Sequence, residues 1–210
     1  MKGPQLSRGS RVVLIGDSIT DAGRLAEGEF GLGHGYAARV AGVCGRRGIE
    51  VLNRGVGGHR VVDLAARWDD DVLALEPDLV SIKIGINDTW RRYDRDEATS
   101  AEAFEAGYRD LIDRTRTGAP RAAVVLVEPF LVPVRAEQWG WREDLDPKIQ
   151  VVRRLAAEHG LPLVATDGPF AQAVASSGLG PQAWAYDGVH PTPAGHDLLA
   201  EAWLKVVRLN

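Results

Sequence analysis

Sulfur is scarce in this chain: its 210 residues include one cysteine, Cys44, and one methionine. A single cysteine excludes an intrachain disulfide and every zinc knuckle built on a cysteine pair. Its setting, RVAGVCGRRG, reads as the buried side of a helix, where a thiol behaves as a small hydrophobe. No apolar run approaches the length of a membrane span, and the opening MKGPQLSRGS has none long enough for a signal peptide. The expectation is a cytoplasmic protein with no membrane partner. Charge of either sign is also not in excess, with 25 basic against 29 acidic residues and a formal net charge of -4. That balance points away from a nucleic-acid partner and from an acidic disordered tail. Internal repeats and low-complexity linkers are missing. The length suits one core, so residues 1–210 are expected to form one domain.

What the chain does have is alternation. The runs RVVLIG (11–16), IEVLN (49–53), LVSIKIG (79–85), AAVVLVEP (122–129) and LPLVAT (161–166) are short and nearly continuous in apolar character. Such runs suit strands covered on both faces, as in a parallel sheet. Amphipathic stretches separate them. Phe104, Tyr108, Leu111 and Ile112 recur at helical spacing, with Thr99 and Glu102 fitting a capping box at the start. A second helix over PKIQVVRRLAAEHG is expected to stop at Gly160. Strand, helix and strand in repetition imply right-handed crossovers and a three-layer α/β/α sandwich around a five-stranded parallel sheet. Residues 130–147 show no period and read as a long loop that could close over a site.

Ligands of open parallel sheets bind beyond the carboxyl ends of the strands. Four segments there carry chemistry: Gly16-Asp17-Ser18, then Asn53 to Gly58, then Gly85-Ile86-Asn87-Asp88, and finally YDGVHPTPAGH with Asp187 three residues before His190. Ser18 alone reads more readily as a helix N-cap than as a nucleophile, and the other segments turn that reading round. A serine hydroxyl attacks a carbonyl only when a base takes its proton, and a neutral imidazole with a pKa of about 6.5 is suited to that. Asp187 can orient His190 and stabilise its protonated form. The backbone N–H groups of Ser18 and Gly58 and the Asn87 amide can donate to the oxyanion, each contributing roughly 3–4 kcal/mol to the transition state.

Other residues invite weaker readings. His34 reads as a loop or packing residue, His59 could face the site, His159 lies near a helix end, and His196 falls on the last helix, capped by Thr192 and opened by Pro193. Asp17 and Asp88 read as structural. Asp69-Asp70-Asp71 resembles a metal cluster, but consecutive helical residues diverge, so no metal is expected. GLGHGY and GVGGH lack the lysine of a phosphate loop, and no cofactor is implied. Six tryptophans against four phenylalanines is unusual, and Trp90, Trp139, Trp141 and Trp184 are candidates to line a pocket.

Taken together, GDS, a glycine, GxND and DxxH, in that order, resemble the SGNH (GDSL-type) hydrolase superfamily. IGDSITDAGR, GLGHGY, the stretch from ARWDDD to RRYD, and HPTPAGHDLLAEAW are similar to its acetylxylan-esterase branch. The resemblance implies a flavodoxin-like fold with Ser18, Asp187 and His190 as triad. It also implies Ser18, Gly58 and Asn87 as oxyanion donors, with Gly58 preferred over Gly57 because Asn53 aligns with the family's asparagine five residues earlier. The expected substrate is a small acetylated carbohydrate such as a xylo-oligosaccharide, and the expected assembly a homo-oligomer, an octamer in some of that branch. The rivals are a short-acyl lipid esterase, thioesterase or lysophospholipase on the same scaffold, and an idle α/β binding module.

Overall fold

A computed structural model describes residues 3–210. Strand β1 (Gln5–Leu6) pairs in parallel with β7 (Arg208–Leu209), bringing the two ends of the chain together. The central sheet holds β2 (Arg11–Gly16), β3 (Glu50–Gly55), β4 (Leu79–Lys83), β5 (Ala123–Val127) and β6 (Leu163–Val164). All pairings are parallel, and the order is β3-β2-β4-β5-β6. The five apolar runs are these five strands. Their near-continuous hydrophobicity follows from burial on both faces: Val12 and Leu14 enter one core, Val13 and Ile15 the other, and all four are fully buried.

One layer contains α1 (Ser18–Asp21), α2 (Tyr36–Gly45), α8 (Asp167–Ser177) and α9 (Pro193–Val206). The opposite layer contains α3 (Val61–Ala66), α4 (Trp68–Asp71), α6 (Ala101–Gly118) and most of the apolar face of α7 (Arg142–His159). Helix α5 (Ile86–Asp94) opens just beyond the end of β4. Cys44 is buried on α2, and burial pushes its thiol up to about 11, so it stays protonated and unreactive at neutral pH. No helix among the described residues is long and apolar enough to cross a membrane.

Two local expectations need correction. The stretch 130–147 is not all loop: Ala136–Trp139 forms a short 3-10 turn and α7 already begins at Arg142. Pro147 lies inside that helix, which survives the lost hydrogen bond because Leu145 and Ile149 on either side are buried. Its N-terminal turn carries Glu143 and Asp144, suited to the positive end of the helix dipole. The cap of α6 is Ser100, whose Oγ accepts from the Ala103 N–H at 3.2 Å, rather than Thr99 one residue earlier. Gly160 ends α7 in the left-handed region as expected, with φ of 65°.

Candidate active site

The sheet order reverses direction between β2 and β4, the place where open α/β sheets bind ligands. The two loops that flank this crevice are the GDS turn after β2 and the GxND turn after β4. Asp17, not Ser18, is the N-cap of α1: its Oδ1 accepts from the Ile19 N–H at 2.9 Å. With capping assigned to its neighbour, the Ser18 hydroxyl is free to point elsewhere. It lies 2.9 Å from Nε2 of His190, a residue 172 positions away in sequence.

His190 is held from behind. Nδ1 sits 2.7 Å from Oδ2 of Asp187, while Oδ1 of the same carboxylate accepts from the backbone N–H groups of Val189 at 3.0 Å and His190 at 2.8 Å. The three-residue spacing therefore works twice, once through the side chain and once through the backbone. A carboxylate only accepts, so the neutral ring carries its proton on Nδ1 and turns the Nε2 lone pair to Ser18. Burial opposes ionisation of Asp187, but the hydrogen bonds from the ring and the two backbone N–H groups outweigh it and hold the carboxyl well below the usual range. The hydrogen bond to Asp187 raises the His190 pKa, with burial acting against it. Thr192 caps α9 through the Gly195 N–H at 3.2 Å, which seats the turn on a long helix. The irregular part of 130–141 buttresses it: Val132 N–H donates to Gly188 C=O at 2.9 Å, and the buried Gln138 donates through Nε2 to Asp187 C=O at 2.6 Å.

The three candidate oxyanion donors lie on the turns after β2, β3 and β4. Gly58 has φ of +80°, a left-handed turn that favours glycine, in the Val56–His59 turn. The N–H groups of Ser18 and Gly58 have no partner among the described residues. Asn87 is buried and its Nδ2 donates one hydrogen to His59 C=O at 3.1 Å, which leaves the second available. Several residues hold these loops together. Asp88 accepts from Val61 N–H through both oxygens, at 3.3 and 3.2 Å. Asn53 accepts from Gly55 N–H at 2.9 Å and donates to Thr20 C=O at 2.7 Å and Leu32 C=O at 2.9 Å. Gly55 must lack a side chain, since a Cβ there would fall 2.1 Å from the backbone nitrogen of Asp21. Arg67 donates to Gly16 C=O at 3.1 Å, Arg54 C=O at 2.8 Å and His59 Nδ1 at 3.1 Å. Arg67 sits in the turn between α3 and α4, and the sequence assigns it no role because a lone arginine carries no motif.

The remaining candidates separate. The Trp90 ring lies 6.0 Å from the His190 ring, centre to centre. Trp141 is buried behind it, 5.6 Å from Trp90 and stacked on Tyr93 at 5.3 Å, so it supports Trp90 and offers no open face. Trp184 packs against the core beside the turn. Trp139 is exposed and borders a separate cavity of about 450 Å³ with Leu131, Val132 and Pro181. His59 is engaged by Arg67, and its pKa is lowered by burial and that guanidinium. His159 lies between Arg109 and Arg116, and His196 accepts from Tyr36 N–H. The aspartate run disperses into ion pairs, Asp71 with Arg67 and Asp69 with Arg114.

Comparison with known proteins agrees with this geometry. The GDSL-like lipase/acylhydrolase family matches residues 14–198. An acetylxylan esterase of Geobacillus stearothermophilus is 40% identical, over 97% of this chain and 96% of the relative. The crystal structure of Axe2, an acetylxylan esterase of that organism, superposes with a TM-score of 0.84 at 39% identity, covering 95% of this chain and 94% of that one. LAE5, an α/β hydrolase enzyme from the metagenome of Lake Arreo in Spain, gives a TM-score of 0.85 at 35% identity, covering 96% of each chain. Catalytic mutants of Axe2 have also been solved in which a serine, an aspartate or a histidine is replaced by alanine. A match that runs from the first strand of the sheet into its last helix, on a shared fold, leaves one conclusion: the chain belongs to the GDSL-like lipase/acylhydrolase family and is a carboxylic ester hydrolase.

Proposed function

We propose that this protein is a serine esterase that removes acetyl groups from small carbohydrate esters, acetylated xylo-oligosaccharides or close analogues, through an acetyl-enzyme. The observation that carries the proposal is the continuous line from Ser18 Oγ to His190 to Asp187, at 2.9 and 2.7 Å. Ser18 Oγ attacks the ester carbonyl as His190 Nε2 takes its proton. The carbonyl oxygen becomes an oxyanion among the N–H groups of Ser18 and Gly58 and the Asn87 amide. His190 gives its proton to the leaving sugar oxygen, and the acetyl group stays on Ser18. Water then attacks that ester, its proton passes to His190, and collapse of the second oxyanion releases acetate and restores the hydroxyl. Asp187 remains ionised throughout, which matches its depressed pKa.

The carbohydrate acetyl substrate is supported by relatives described as acetylxylan and acetyl-xylooligosaccharide esterases. Trp90, beside His190, is a flat apolar wall suited to an acetyl group or a sugar face. The reading includes a cytoplasmic location, where soluble oligosaccharides are met rather than insoluble polymer. It also includes a homo-oligomer, supported by the exposed apolar side chains of Phe30, Trp139, Leu179 and Tyr186. Ser18→Ala tests the mechanism: turnover of acetylated xylo-oligosaccharide is expected to fall by at least about 10³-fold with an unchanged melting temperature. Normal turnover in that variant refutes the mechanism, and a preference for acyl chains of eight or more carbons refutes the acetyl assignment.

A further inference from the structure

Beneath the nucleophile turn lie two buried polar atoms of opposite kind, neither with a hydrogen-bond partner among the described residues. One is Nζ of Lys83, the last residue of β4; the other is Oδ2 of Asp17, whose Oδ1 caps α1. Both residues are fully buried. They belong to neighbouring strand ends, since Lys83 pairs in register with Gly16. A buried lysine without a direct partner is costly, and a structure that keeps one has a use for it. Lys83 Nζ lies 4.9 Å from the ring centre of Phe130, which is itself stacked on Phe170 at 4.0 Å. Burial lowers the Lys83 pKa, while the Asp17 carboxylate acts the other way. A ring face attracts an ammonium, not a neutral amine, so the Phe130 seat adds to Asp17 in favouring the charged form.

Three charged groups act on His190: Asp187, hydrogen-bonded to its ring; Asp17, next in sequence to Ser18, whose Oγ lies 2.9 Å from Nε2; and Lys83, in register with Gly16 on the neighbouring strand. Asp17 strengthens the hold of the imidazole on its proton, and Lys83 weakens it. Tyr36 on α2, Tyr108 on α6, His196 on α9 and His59 are further ionisable groups around this space; burial raises Tyr108 and lowers His59, so that all four are neutral at pH 7. Burial pushes the Tyr36 hydroxyl up, and burial, helped by Arg39, brings His196 down to about 4.

We propose that Lys83 is a positioning residue of the esterase: its ammonium, seated on Phe130, offsets the Asp17 carboxylate beside Ser18 and so limits how far that carboxylate acts on the His190 imidazole. The inference rests on the reading that Ser18 and His190 perform the chemistry. Its direct consequence concerns pH. With Lys83 removed, Asp17 acts on His190 unopposed, and the imidazole holds its proton to higher pH.

The test measures kcat/KM against pH with an aryl acetate for the parent enzyme, Lys83→Met, Asp17→Asn and the double variant. In Lys83→Met the acid limb moves to higher pH. At pH 5.5 the rate, relative to each enzyme's own plateau, is expected about threefold lower than in the parent. In Asp17→Asn the limb moves the other way, and the double variant returns close to the parent. A Lys83→Met enzyme with the parental acid limb overturns the proposal. If Lys83→Met does not fold, the double variant must, because it leaves no uncompensated buried charge; failure of both overturns the proposal as well. Ser18→Ala in the same assay checks the underlying reading separately. Activity retained there removes the site itself, whereas an inactive Ser18→Ala beside an unmoved Lys83→Met profile removes only the role of Lys83.

Discussion

The imidazole of His190 is where single residues decide behaviour. Its pKa is raised by the hydrogen bond to Asp187, so a larger share of the free enzyme is protonated near pH 7 than an ordinary histidine would be. Only the neutral ring accepts the Ser18 proton. The rate should therefore rise with pH through a midpoint above 6.5 and level off beyond it. Asp187→Asn removes the partner that raises this pKa. Its acid limb should move to lower pH while kcat falls by roughly 10³–10⁴-fold, the usual cost of losing the tautomer and the stabilised imidazolium. A pH–rate profile of the two enzymes checks both statements, and an unshifted limb contradicts the role given to Asp187. At this scale much was legible. Ser18, Asn87, Asp187 and His190 stand in short motifs whose chemistry is local. The division of labour between Asp17 and Ser18 was not, because either side chain can cap a helix and only coordinates show that Asp17 does. Lys83 was invisible for a different reason. Within LVSIKIG a lysine in a strand reads as an edge or surface residue, and nothing in the run says that its side chain faces Phe130 and Asp17.

Among the elements, α3 and α5 are linked by one carboxylate. Asp88 on α5 accepts from the N–H of Val61, the first residue of α3, and so aligns the turn that carries Gly58 and His59 with Asn87. Burial pushes its pKa up to about 7, against hydrogen bonds that pull it down. A carboxyl whose folded pKa lies above its unfolded value favours folding fully at low pH, and that contribution is lost as pH rises toward 7. Asp88→Asn keeps an acceptor for Val61 without the charge. Its stability relative to the parent should therefore improve between about pH 4 and pH 7 by an amount on the order of a few kcal/mol, read by urea unfolding at several pH values. A difference independent of pH refutes the assignment. The elements themselves were legible wherever periodicity was strong, as in α6, α9 and the five central strands, with ends off by one or two residues, as at the α6 cap, β5 and β6. The opening of α7 was not. WREDLDP carries a proline and little apolar signal, and its helical state is set by burial of Trp141 and Leu145 against the site.

For the molecule as a whole, the site exists because the end of the chain returns to its beginning. The turn bearing Asp187 and His190 leads into α9, and α9 docks on the sheet through Trp203, fully buried, whose Nε1 donates to Ser81 Oγ on β4 at 3.0 Å. Trp203→Ala should lower stability by about 3–5 kcal/mol, measured by denaturant unfolding, and depress kcat, since the turn loses its anchor. A stable variant with full activity would mean that the turn is held by other contacts. By itself the sequence determined the five strands of the central sheet, the parallel α/β class and the order of the four candidate-site motifs, because hydrophobic period and short-range spacing are local properties; the short β1 and β7, two residues each, carry no such period. Tertiary structure alone decided how the ends of β2 and β4, the Gly58 turn and the Asp187–His190 turn converge, since residues 18 and 190 have no local reason to meet. It also decided which buried charges oppose each other beneath Ser18, because partnership between distant side chains arises from packing and leaves no period in the chain.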